Sequence, residues 1–140
     1  MLKPASRGRR RLDGFNRLLE DVYGRLVRLS ELLAKQGVSR EQIARWRRDG
    51  LWLVHLLKRL EGKLMMVVSS ALPERDPRVL SLWYGLDGRG ARVTGAIGIE
   101  LGISTVEVQL AHDLMLRYLR RDEGRAALEA AVLRAAQETD

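Results

Sequence analysis

The sequence predicts an all-α protein, a long antiparallel helical hairpin followed by a smaller helical domain. Apolar residues recur at alternating spacings of four and three through Phe15, Leu19, Val22, Leu26, Leu29 and Leu33. They do so again through Ile43, Trp46, Leu53, Leu57, Leu60, Leu64 and Val67. That spacing is the seam of a helix packed on another helix. Ser39 with Gln42, and Ser104 with Glu107, fit capping boxes that open helices.

Residues 1–11, with Pro4, Ser6 and Gly8 among basic side chains, are too polar to bury themselves and read as a flexible arm. Residues 12–70 read as the hairpin. Its first helix follows the Phe15–Leu33 seam, widened by Leu18, Tyr23 and Leu32, and Gly37 ends it. The second runs from about Arg40 to about Ser70, with Gly50 at one seam position. A helix of roughly thirty residues is about 45 Å long. Its partner cannot cover it, so its far end must meet the C-terminal half or another subunit, and a homodimer joined through these helices is expected. Leu51, Trp52, Leu56 and Met65 lie off the seam, which predicts burial on more than one face. His55, flanked by leucines, reads as a hydrogen-bonded core or interface residue.

Leu72-Pro73 and Asp76-Pro77 mark the next boundary. In residues 71–121 a short helix through Val79, Leu80, Leu82 and Trp83 precedes the glycine-rich loop Gly85–Gly90. Thr94–Leu101 forms a helix, Gly102 a turn, and Ser104 opens a helix to about Arg121. Gly124 breaks or loosens it. Residues 122–140 are alanine-rich and helical by propensity, anchored by Leu128 and Val132.

The chain of 140 residues has 25 Lys and Arg against 18 Asp and Glu, a formal charge of +7 that favours a polyanionic partner. The distribution is uneven. Residues 1–11 hold five basic side chains and no acid, whereas residues 71–121 hold seven basic and six acidic ones. The absence of cysteine excludes disulfides, Cys-ligated zinc and thiol catalysis. The 5% aromatic content argues against base-stacking surfaces for single strands. No apolar run is long enough to span a bilayer, and the basic start is not followed by a signal-like core, so a cytoplasmic location is expected. Gly88-Arg89-Gly90 lacks the spacing of a dinucleotide fingerprint and the Lys-Ser/Thr of a P-loop. No catalytic constellation, metal-ligand set or cofactor motif is present, so the chain is not expected to be an enzyme.

Residues 94–120 carry the helix, turn and helix of a helix-turn-helix. The residues Leu72-Pro73-Glu74-Arg75, Val79 through Gly88, Ile97-Gly98, Leu101-Gly102-Ile103-Ser104, Val108 and Leu116 resemble the fourth conserved region of bacterial sigma factors. The resemblance covers about 50 residues, and Tyr84-Gly85-Leu86-Asp87-Gly88 is its most specific run. It implies a module that reads a promoter element through the start of its second helix and docks on RNA polymerase. Sigma factors place arginines and glutamates at that start. Here it reads Thr105-Val106-Glu107-Val108-Gln109-Leu110-Ala111-His112-Asp113, with no basic residue before Arg117.

Three functions follow. In the first, a DNA-binding transcription regulator, Thr105, Glu107, Gln109 and His112 touch base edges of double-stranded DNA, while Arg7, Arg9, Arg10, Arg11, Arg89, Arg92, Arg117, Arg120 and Arg121 hold phosphates. In the second, an interaction protein binds RNA polymerase or a sigma partner through an apolar helix face. The third is an oligomeric DNA-packaging subunit.

Overall fold

The computed structural model describes residues 4–139, with side chains from residue 8 onward. All regular structure among them is helical. The helices are α1 (Pro4–Tyr23), α2 (Leu29–Lys35), α3 (Arg40–Arg48), α4 (Gly50–Ala71), α5 (Arg78–Tyr84), α6 (Thr94–Leu101), α7 (Thr105–Arg120) and α8 (Asp122–Thr139).

Each limb of the expected hairpin is broken in two. Gly24, at φ +71°, ends α1, and the chain runs extended at Arg28 before α2 starts. The Asn16 side chain accepts the orphan N–H of Leu29 at 2.9 Å and fixes this re-entry. Leu26, a seam position in the continuous-helix reading, falls in the break and is 59% exposed. The second limb breaks at Asp49, whose carboxylate accepts from the Trp52 N–H at 3.0 Å and caps α4. The apolar spacing survives both breaks because Leu29, Leu32, Leu33 and Trp46 still face the core.

The arm is also corrected. From Pro4 the chain is already helical, and Gly8 lies against Leu53 and Val54 of α4. The apolar stripe that begins at Leu12 draws the preceding turns onto α4. Residues 1–3 and the side chain of Arg7 lie outside the described residues.

The long helix α4 is the centre of the fold. Leu56, Leu57, Leu60, Leu64 and Val68 are buried, and α1, α3, α5 and α8 all pack on it. More than one face is therefore covered, although Leu51 is exposed. His55 is exposed too, which removes it from the core. At the N-terminus of α3, Ser39 Oγ accepts from the Gln42 N–H at 3.1 Å, as the capping motif predicts.

The C-terminal helix returns along the first half of the molecule. Lys63 of α4 pairs with Glu138, and Glu129 accepts from Lys35 at 2.9 Å and from the Tyr23 hydroxyl at 3.0 Å. Burial, then the Glu129 bond, hold the Tyr23 hydroxyl above the usual phenol range. Gly124 does not loosen the chain. It is buried in the first turn of α8, where a Cβ would run into the Tyr118 carbonyl and the Leu119 Cα, so it allows α8 to fold tightly back on α7. No helix among the described residues is long and apolar enough to cross a membrane.

Candidate functional site

The site is built on the loop that follows α5. Gly85 takes the left-handed conformation (φ +70°) and turns the chain after Tyr84. Leu86 is buried beneath it. Arg92 then closes the loop with two bonds of 2.7 Å to the Asp87 carboxylate and one of 2.9 Å to the Gly90 carbonyl. Arg11 reaches across from α1 to the Asp87 carbonyl at 2.9 Å. Burial alone would raise the Asp87 carboxyl, but the bonds from Arg92 and the Arg89 N–H outweigh it and hold it below the usual carboxylate range.

This closed loop delivers the chain to α6, the turn and α7. Gly102, at φ +68°, ends α6, and the Ile103 N–H bonds the Gly98 carbonyl at 2.9 Å. A Cβ on Gly98 would stand 2.7 Å from the Ile103 carbonyl, so glycine sets how closely the two helices meet. Ser104 Oγ then accepts from the Glu107 N–H at 3.1 Å. Ile97, Val108, Met115 and Leu119 join Val79 and Leu80 in the core.

The front of α7 exposes Thr105, Glu107 and Gln109. His112 lies inward of them. Only 7% exposed, its ring stacks on Trp83 with centroids 3.7 Å apart and planes 9° from parallel. Its Nε2 lies 3.0 Å from the Tyr84 hydroxyl, which itself donates to Asp21 Oδ2 at 2.6 Å. Its Nδ1 lies 3.1 Å from Asp113 Oδ1, so both ring nitrogens face oxygen partners. Burial, then the Asp21 bond, hold the Tyr84 hydroxyl well above the usual phenol range. His112 fastens α7 to α5 and, through Tyr84, to α1. Ala111, on the expected apolar front, is likewise buried.

The expected phosphate contacts divide. Arg9, Arg10, Arg89, Arg117 and Arg121 are exposed. Arg11 and Arg92 are half-buried and engaged by the Asp87 loop. Arg120 is exposed, but its Nε donates to the Asp21 carbonyl at 2.9 Å and ties α7 to α1. Sequence shows the sign of a side chain but not the partner that folding provides.

In their place the α6–α7 surface presents apolar and acidic groups. Ile99 is 87% exposed, Val106 75% and Leu110 43%. Val106, Gln109, Leu110 and Asp113 form one stripe along α7 at helical spacing, flanked by the exposed Glu107, with Glu100 exposed on α6. Leu110 was legible as a departure from polar helix fronts, whereas Ile99 and Val106 carry no signal that separates them from core positions.

A second concave surface lies between α1, α2, α3 and α4. Two cavities, of about 730 and 620 Å³, share Leu26, Arg28, Ser30, Ile43 and Arg47 in their walls. Trp46 stacks on Trp52 beside it, with centroids 4.0 Å apart. The break between α1 and α2 opens this groove, so a continuous-helix reading misses it. Compared with protein families, curated proteins and solved structures, the chain matches none.

Proposed function

We propose that this protein is a transcription-associated interaction module, a region-four-like helix-turn-helix that docks on a protein partner through α6 and α7. The observation that carries the reading is the exposed trio Ile99, Val106 and Leu110 on the surface where a DNA reader needs polar and basic groups. Glu100, Glu107 and Asp113 are exposed on the same two helices, and phosphates would be repelled by them. Arg92 and Arg11, which would anchor phosphates, hold the Asp87 loop instead. Exposed apolar side chains rimmed by polar ones suit a protein interface. The resemblance to sigma region four points to RNA polymerase or a sigma factor as that partner.

The second reading, a DNA-binding regulator, draws support from the exposure of Thr105, Glu107 and Gln109 at a well-capped helix start. Titrating purified RNA polymerase and a fluorescent duplex in parallel, across salt concentrations, separates the two. Burying a valine contributes roughly 1.5–3 kcal/mol, so Val106→Asp should weaken polymerase binding about tenfold or more. The interaction reading fails if polymerase does not bind while the duplex binds with a steep salt dependence and a sequence preference that Gln109→Ala relaxes.

A further inference from the structure

We infer that the arginine-rimmed groove between α1, α2, α3 and α4 receives the α6–α7 face of a second copy of this chain. The inference rests on the reading of that face as a protein-contact surface, not on the identity of its other partner. Groove and face are complementary in shape class and in charge. Leu26, Ile43 and Leu53 give the groove an apolar lining. Arg9, Arg17, Arg28, Arg40, Arg47 and Arg48 line the two cavities against Asp13, Glu20 and Glu31, and Glu31 is already paired with Arg25.

The α7 stripe offers the opposite pattern. Val106 and Leu110 lie one helical turn apart, the spacing with which an amphipathic helix anchors in a groove. Glu100, Glu107 and Asp113 border them and would meet the arginine rim. The wall also holds Trp46, whose indole N–H is buried without an acceptor among the described residues. Leu26, Ile99 and Val106 are exposed large apolar side chains, and this one contact would cover all three.

Such a contact is head-to-tail. Each copy donates a face and accepts one, so the assembly closes into a ring or continues as a filament instead of stopping at a two-fold dimer. It also competes with any partner for the α6–α7 face.

That geometry permits a decisive test by sedimentation velocity. The full-length chain should sediment faster as its concentration rises through the micromolar range. Val106→Asp removes the donated face, and the double change Arg28→Glu with Arg47→Glu reverses the accepting rim. All three positions are exposed, and circular dichroism verifies that the variants fold. Each variant alone should remain monomeric. Mixed in equal amounts, they should form a heterodimer that grows no further, because one intact face and one intact groove remain. A wild-type chain that stays monomeric, or a mixture that fails to pair, overturns the inference. Polymerase binding by the groove variant reports separately on the proposed function, since that variant keeps its α6–α7 face.

Discussion

Replacing His112 by alanine decides whether this side chain belongs to the core or to a reading surface. The ring stacks on Trp83 at 3.7 Å and is hydrogen-bonded to the Tyr84 hydroxyl at 3.0 Å. A stacked pair is worth about 0.5–1.5 kcal/mol beyond its burial, and a lost internal hydrogen bond about 1 kcal/mol. The cavity left beneath Trp83 adds to both, so His112→Ala should lower stability by about 2–4 kcal/mol. Tyr84 keeps its bond to Asp21, which limits the loss. The assay is urea unfolding followed by tryptophan fluorescence and far-ultraviolet circular dichroism, with Gln109→Ala on the exposed side of the same helix as control. The control should stay within about 0.5 kcal/mol of wild type. A His112→Ala change equally small would refute the reasoning, because it would mean that the ring is free for an outside partner.

Acid should weaken the fold in part through Asp87. Its carboxyl is held below the ordinary value, so the stabilisation is present above that value and is lost as pH falls through the folded one. Asp76, held down by its bonds from Arg78, adds a loss of the same sign. Melting temperatures measured from neutral to acidic pH should fall less steeply in Asp87→Asn, which starts lower; an unchanged slope would contradict this. Gly124→Ala should destabilise, since overpacking costs about 1–3 kcal/mol against a helix-propensity gain of about 1 kcal/mol. Thermal unfolding checks the sign. Arg11→Ala should lower the melting temperature while leaving any duplex affinity unchanged, whereas a phosphate contact predicts the reverse.

Signals confined to neighbouring residues were the legible ones. Ser39 and Ser104 cap the helices they precede, Gly102 makes the turn, and Leu72-Pro73 ends α4. The breaks at Gly24 and Asp49 were not legible as breaks, because apolar spacing is preserved when a helix is interrupted and its next segment still faces the same core. The fate of the arginines was hidden for a different reason. Arg11 and Asp87 are 76 positions apart, and no local pattern joins them. His112 sits among the exposed residues of a helix front in sequence, and the positions of Trp83 and Tyr84, distant in sequence, draw it inward.

The first helix reaches deep into the second half of the chain. Arg17 donates to the Tyr84 carbonyl, Asp21 binds the Tyr84 hydroxyl and the Arg120 guanidinium, and Arg11 holds the loop before α6. Residues 71–121 therefore cannot be transplanted as a cassette. Cutting at residue 71 would strip Tyr84 of its acceptor and Arg120 of its carbonyl, and graft recipients would have to supply both.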